Sequence, residues 1–329
     1  MTCNKYKIRI TNLMDEQFTN DIILFKYIKN KKINKNRFFN ELVTNMYLYY
    51  KQRREHLNKH LNSNLRKYIK DPNVIYNFSK DINNMALTLD MTDTDILPLD
   101  SEIYIYPTNE TTSIFDEIEV NELRNTTMSE FLRSLFSAYI NMPLYTRESI
   151  LFNDLFEILL DSINKENIIY IETEDDEFYM EPYYLTIHEK TSHTYLIGYK
   201  LNNNIKENFS IPVKDIYNVV TTNNKYNYSR NQLNDLSCLT SVGPEYINIP
   251  TVLIKVKFTE EGINRAEKLG ISNMNIIQLD DKDTIVTFKS NIDQMFDFLV
   301  PFGKDASVIE PIALKTKLNE FYKEAANNS

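Results

Sequence analysis

The chain has 329 residues, 42% hydrophobic, 25% charged and 12% aromatic, a composition that packs and so excludes disorder as the main state. Its five glycines are too scattered to build a GxGxxG or GxxxxGK[ST] loop, which excludes the usual glycine-rich phosphate cradle. The net charge of -9 is unevenly spread: residues 1–70 hold 16 Lys and Arg against 5 Asp and Glu, while the remainder is strongly acidic. Clustered cations gain free energy by releasing counterions from a phosphate chain, so this head reads either as a polyanion-binding surface or as a solvated basic face.

Residues 5–10 alternate, with Tyr6, Ile8 and Ile10 on one face and Lys5, Lys7 and Arg9 on the other, the period of a half-buried strand with one cationic side. After Asp15-Glu16, Phe18, Ile22, Phe25, Tyr27 and Ile28 recur at three- and four-residue spacing and predict a helix. Residues 29–35 break that run. Asn36 is the expected cap of a second helix, whose apolar stripe is Phe39, Leu42, Val43, Met46 and Tyr47. The same order returns over residues 101–142. Ile103 and Ile105 alternate with Glu102, Tyr104 and Tyr106; Ile114, Phe115, Ile118 and Leu123 mark a helix; Thr126-Thr127 offers a cap to a second helix carrying Phe131, Leu135 and Tyr139. The shared spacing of four in Phe39, Val43, Tyr47 and in Phe131, Leu135, Tyr139 indicates an internal duplication. One strand with two short helices cannot bury its apolar face alone, so the two copies are expected to pair their strands as an antiparallel ribbon.

From Ile168 the period changes. Runs at 168–171, 181–187, 194–199, 209–213 and 217–221, separated by polar turns, predict a small barrel or strongly bent sheet. Residues 251–329 then read as strand (252–258), helix (260–269), strands (275–279 and 284–288), helix (291–300), a turn at 301–303, a short strand near Val308 and a last helix from Pro311. This is a β-α-β-β-α-β pattern with an added helix.

Little in the chain points to chemistry. Cys3 and Cys238 lie far apart and outside any ligand cluster, which suits a reduced, cytoplasmic protein. Neither a signal peptide nor a spanning segment is expected. His56 and His60 have i, i+4 spacing but no third ligand, and the acidic run Glu172, Glu174, Asp175, Asp176, Glu177 reads as a solvated turn, so no metal is expected. His188 and His193 flank a turn without a paired Ser or Cys. With no nucleophile, base and orienter to assemble, the expectation is a protein without enzymatic activity, catalytic residues or cofactor.

The stretch Ser129-Glu130-Phe131-Leu132-Arg133 resembles the opening of the second helix in the ribbon-helix-helix proteins of the MetJ and Arc type, and the resemblance covers about residues 4–55 and 101–142. It implies that Lys5, Lys7 and Arg9 face a major groove and that the amides near Asn36 and Arg37 clamp a backbone phosphate. The second copy departs from that pattern. Its outward residues are Glu102, Tyr104 and Tyr106, and exposed tyrosines beside a cationic strand can stack on unpaired bases, so single-stranded nucleic acid competes with duplex operator DNA.

Pro182-Tyr183-Tyr184-Leu185 followed by Thr194-Tyr195-Leu196-Ile197-Gly198-Tyr199 resembles the WYL domain, an Sm-like barrel of bacterial regulators. The resemblance implies a ligand groove lined by Tyr184, His188, Tyr195 and Lys214, although Ile211 to Ile216 lacks the arginines common in that family. Val300-Pro301-Phe302-Gly303-Lys304-Asp305-Ala306 and Ile309-Glu310-Pro311 resemble the extension that follows WYL domains, which implies a homodimer.

The expected class is therefore α+β. Its expected parts are ribbon-helix-helix copies at 1–60 and 101–143, a linker at 61–100, a linker helix at 144–166, a WYL barrel at 167–225, a linker at 226–248 and a ferredoxin-like dimerisation domain at 249–329. This architecture is similar to the WYL accessory proteins of type VI-D CRISPR systems, which implies binding of single-stranded RNA and an RNA-guided ribonuclease as partner. The residues leave three readings open: such an accessory, a ligand-responsive transcriptional repressor, or a protein-interaction scaffold.

Overall fold

The computed structural model describes residues 5–29, 32–79, 82, 98–123, 126–188, 191–202, 205–233, 236, 243–248, 251–268, 276–280 and 285–327. It is a mixed α+β structure with several antiparallel sheets, and it divides into two compact units, Met1–Glu157 and Ile158–Ser329.

In the first unit, strand β1 (Tyr6–Ile10) pairs antiparallel with β4 (Ser101–Ile105), so the ribbon forms within one chain. Both strands show the same burial pattern, with Ile8, Ile10, Ile103 and Ile105 inward and Lys7, Arg9, Glu102 and Tyr104 outward. Each strand runs into a 13-residue helix capped by a threonine hydroxyl: Thr11 accepts from the Met14 amide ahead of α1 (Asn12–Leu24), and Thr108 accepts from Thr111 ahead of α4 (Asn109–Asn121). Sequence periodicity placed the first helix later, from Phe18; the Thr11 cap moves its start forward. A second helix follows in each copy, α2 (Lys35–Leu65) in the first and α5 (Met128–Ile140) in the second. The Lys29–Lys35 interruption is a tight hairpin of β2 (Ile28–Lys29) and β3 (Lys32–Ile33).

Aromatic side chains from both copies fill the shared core. The Phe18 ring on α1 lies 5.3 Å from Phe39 on α2 and 5.4 Å from Phe136 on α5, both edge-on, and Tyr6 of β1 stacks on Phe115 of α4 at 4.4 Å. Offset and edge-to-face pairs of this kind stabilise beyond the area they bury. Two polar latches add specificity. Asn40 of α2 is 2% exposed; its amide donates to the Tyr106 carbonyl at 3.1 Å, and its oxygen accepts from the Thr108 amide at 3.1 Å and the Thr111 hydroxyl at 2.5 Å. Asp21 of α1 is 1% exposed and accepts from Arg147 at 2.7 and 2.6 Å, Tyr139 at 2.8 Å and Gln17 at 3.0 Å. Arg147 belongs to α6 (Leu144–Leu151), which precedes α7 (Asn153–Asn164).

The duplication is not exact in length, because α2 has 31 residues and α5 has 13. The buried residues of α2 all lie between Phe38 and Tyr47, so its second half is outside the core. Helix α3 (72–79) follows, and the Ser79 hydroxyl donates to Asn62 of α2 at 2.9 Å. The stretch expected as a linker over 61–100 is thus helical through most of 61–79, while residues 80, 81 and 83–97 lie outside the described residues.

In the second unit, β5 (Asn167–Glu172), β6 (Glu177–Ile187), β7 (Thr194–Asn202), β8 (Ile205–Pro212) and β9 (Asn218–Lys225) form an antiparallel sheet in the order β8-β7-β6-β5-β9. Gly198 sits where β6 and β7 crowd: a Cβ there would lie 2.1 Å from the Glu181 carbonyl oxygen. Tyr228 donates to that same carbonyl at 2.8 Å, and Tyr226, Leu236 and Ile247 are buried, so much of the expected 226–248 linker packs rather than hangs free. Asn248 pairs with both backbone polar groups of Ser210 at 2.8 Å, imitating a strand neighbour.

The last segment runs β10 (Val252–Phe258), α8 (Glu260–Lys268), β11 (Ile276–Asp280), β12 (Ile285–Ser290), α9 (Ile292–Leu299), β13 (Ala306–Glu310) and α10 (Ile312–Asn327). The sheet order is β11-β12-β10-β13, all antiparallel, over a core of Val256, Phe258, Phe288, Met295, Phe302 and Leu314.

Candidate nucleic-acid interface

The ribbon register decides what the cationic strand faces. Lys7 lies opposite Tyr104 and Arg9 opposite Glu102. Glu102 then reaches both cations, at 2.7 Å from Lys7 Nζ and 3.7 Å from Arg9 Nε, and it accepts from the Tyr104 hydroxyl at 2.8 Å. The Lys7 hydrogen bond holds the Glu102 carboxyl below the usual carboxylate range, and the same bond raises Lys7. The two halves, expected to present separate cationic and acidic-aromatic surfaces, instead neutralise each other toward the Arg9 and Glu102 end of the ribbon. Beyond that pair, Lys5 lies 3.9 Å over the Tyr104 ring and 5.8 Å from the Tyr106 ring, a cation–π arrangement with both tyrosines at least 40% exposed.

Much of the basic head is balanced in the same way. Lys35 lies 3.5 Å from Asp15, Arg37 2.7 Å from Glu41, Lys51 2.6 Å from Glu117 and Arg54 3.0 Å from Glu122. These pairings shrink the surface that composition alone suggested.

The cap expected at the start of the second helix is a different residue. Asn34, not Asn36, caps α2, because the hairpin returns the Asn34 amide to the Tyr27 carbonyl at 2.8 Å and leaves the Asn34 side chain to accept from the Arg37 amide at 3.2 Å. Asn36 makes a two-way pair with the Tyr106 backbone, accepting at 2.9 Å and donating at 3.1 Å. Arg37 is held by Glu41 and lies 5.5 Å over the Tyr27 ring. The Tyr27 phenol donates to Glu41 at 2.5 Å, and burial pushes its pKa far above the usual phenol range. Together Tyr27, Ile28, Asn34 and Arg37 line a cleft of about 340 Å³.

Of the residues expected to line a groove in the second unit, the β6–β7 turn gathers three and leaves one apart. His188 is buried; its Nδ1 accepts from the Thr191 amide at 3.0 Å, which leaves Nε2 to donate to Glu245 at 2.8 Å. The Tyr195 ring lies 6.0 Å from His188, and Lys214 Nζ lies 3.3 Å from His193 Nε2 across the same turn, whose backbone joins His188 to His193 at 2.8 Å. Tyr184 is 54% exposed and outside this cluster. Glu245 was not foreseen, and nothing local in the sequence signals it, since its role comes from a contact across distant segments.

His56 and His60 sit on the exposed second half of α2 with ring centroids 4.4 Å apart. Among the described residues no group of three or more His, Cys, Asp and Glu is placed to hold a metal ion, and no described helix is long and apolar enough to cross a membrane. In the acidic run, Asp176 is paired with Lys200 at 2.6 Å.

No family model matches the sequence, and no curated protein matches it. Among solved structures, the whole fold is similar to that of a CRISPR Cas-related protein: the match covers 100% of this chain and 94% of that one, with a TM-score of 0.74 at 13% identity. A proteasome accessory factor B/C of Arthrobacter aurescens matches over 68% of this chain and 36% of its own, with a TM-score of 0.29 and 13% identity. The class the first comparison defines is one of fold: a two-unit α+β protein that shares its architecture, end to end, with a CRISPR Cas-related protein.

Proposed function

We propose that the chain is a non-enzymatic regulatory protein that binds single-stranded nucleic acid, with a ribbon-helix-helix head, a WYL-type sheet and a ferredoxin-like dimerisation segment, acting in the cytoplasm as a CRISPR-associated accessory. The observation that carries this reading is the end of the ribbon, where Lys5 lies 3.9 Å over Tyr104 with Tyr106 beside it and both rings open to solvent. Aromatic faces beside a cation suit unpaired bases on a phosphate chain, whereas a duplex groove needs outward charges that Glu102 here neutralises. Further support comes from the internal ribbon, the strand order of the last sheet and the end-to-end fold likeness. In the same reading, His188, Tyr195 and Lys214 form a secondary ligand site, and the chain works as a homodimer beside an RNA-guided ribonuclease.

Affinity for single-stranded RNA, single-stranded DNA and duplex DNA, each at two salt concentrations, tests it. Single strands are expected to bind best, and Tyr104→Ala with Tyr106→Ala is expected to lower that affinity about tenfold or more, since each stacked base contributes roughly 1–3 kcal/mol. Preference for one duplex sequence would replace this reading with a repressor; binding to none of the three would replace it with a scaffold.

A further inference from the structure

Among the described residues, a further group of cations without a carboxylate partner lies over the end of α2 and the turn that follows it. Lys51 and Arg54 turn toward α4 and its C-cap and are neutralised by Glu117 and Glu122. The opposite side differs. Arg53, His56 and His60 recur at i, i+3 and i+7, and Lys59, Ser63 and Arg66 at i, i+4 and i+7, which sets them on adjoining rows of one helical face. All six are exposed, and Arg66 keeps right-handed helical dihedrals at the C-cap, so the rows continue through it. Lys67 and Lys70 follow directly, with Tyr68 between them at 86% exposure. Among the described residues, Lys59, Arg66, Lys67 and Lys70 make no ion pair with a carboxylate, and Glu55 is the one acidic residue between positions 51 and 70.

A favourable helix dipole explains cations in the last turn of a helix, and so covers Arg66 and Lys67. It does not explain Lys59, about 10 Å before Arg66 at 1.5 Å per residue and so outside the last turn. Nor does packing explain it, because no residue of α2 beyond Tyr47 is buried. Uncompensated charge from Lys59 to Lys70, beside a fully presented tyrosine, complements a polyanion that also offers aromatic faces.

Building on the proposed function, we infer that the surface from Lys59 to Lys70, over the end of α2 and the turn that follows, is a second contact for single-stranded nucleic acid, separate from the ribbon, in which Lys59, Arg66, Lys67 and Lys70 hold successive phosphates and Tyr68 stacks on a base. The two contacts divide the work. The ribbon end supplies two aromatic faces and one cation, and the helix supplies most of the charge.

The test is the salt dependence of binding to an oligouridylate of about 30 nucleotides, longer than the roughly 4–16 nucleotides a single small site covers. For single strands the slope of log K against log salt is about 0.7 per phosphate neutralised, so changing Lys59, Arg66, Lys67 and Lys70 together to Ala is expected to lower the slope by about 2 to 3. Changing Lys59, Lys67 and Lys70 to Arg is expected to leave it unchanged, which separates lost charge from lost structure. Tyr104→Ala with Tyr106→Ala is expected to weaken binding while keeping the slope. If the wild-type chain binds the oligomer and the fourfold variant keeps the wild-type slope, this inference falls and the ribbon reading stands. If the wild-type chain does not bind at all, both fall.

Discussion

Removing Arg147 exposes how much the first unit depends on its buried ion pair. Asp21 is 1% exposed and the Arg147 side chain 11%, so in Arg147→Met the carboxylate keeps only Tyr139 and Gln17 and loses its two shortest hydrogen bonds, at 2.7 and 2.6 Å. Burial already pushes the Asp21 carboxyl up, against the pull of Arg147, Tyr139 and Gln17. Taking one partner from a buried pair costs about 3–5 kcal/mol, a large fraction of the roughly 5–15 kcal/mol that holds a typical domain together. The cost depends on pH in a defined sense. Without Arg147 the folded-state pKa of Asp21 rises further above its unfolded value, so its contribution is fully present below about pH 4 and is lost as pH rises through the folded pKa. The deficit of the variant relative to wild type is therefore expected to shrink as pH falls from neutral through that raised folded-state pKa, against the usual trend of acid destabilisation. Urea titration followed by tyrosine fluorescence, which no tryptophan obscures, measures it. Asp21→Asn combined with Arg147→Met is expected to recover much of the loss, because Asp21 then leaves no buried charge without its partner. A deficit below about 1 kcal/mol, or one that grows as pH falls, would refute the reasoning.

Three further outcomes are expected. Asn40→Ala leaves the Tyr106 carbonyl, the Thr108 amide and the Thr111 hydroxyl without their shared partner, a loss of about 3 kcal/mol in urea titration, with faster amide exchange at Thr108. Gly198→Ala drives a methyl against the Glu181 carbonyl oxygen at 2.1 Å, so β6 and β7 must part; a destabilisation of about 1–3 kcal/mol, with chemical-shift changes confined to those strands, is expected. Glu102→Gln releases Lys7 and Arg9, and if the head binds single strands, affinity at low salt rises and the salt slope steepens by about 1.

The sequence made legible whatever a period or a repeat encodes. Ile8, Ile10, Ile103 and Ile105 are inward because two-residue alternation admits one core face, and the stripes Phe39, Val43, Tyr47 and Phe131, Leu135, Tyr139 are buried because three- and four-residue spacing leaves one side of a helix apolar. The mixed class with antiparallel sheets follows from the same patterns. What stayed hidden depends on register and on distant contacts. Glu102 reads as an outward residue, but only the pairing of Arg9 with Glu102 shows that it cancels the charge beside it, and a one-residue slip would send it elsewhere. Asn34 and Asn36 are equally able to cap, and the Ile28–Ile33 hairpin, too short for a strand pattern, chooses between them. The end of α2 was missed for a different reason: beyond Tyr50 no residue is fully buried, and the half-buried Leu57, Leu61 and Leu65 alternate with so many polar residues that the stretch from 61 onward reads as a linker.

A ribbon assembled from two identical polypeptides comes apart on dilution and must display every outward residue twice, once in each direction. Here β1 and β4 belong to one polypeptide, so their union is insensitive to concentration and each strand has been free to drift. The resulting edge has polarity, with an aromatic extremity at Lys5 and Tyr106 and a salt-bridged one at Arg9 and Glu102. Any polymer lying along it therefore meets different chemistry at its two ends, and one of its two directions fits better than the other.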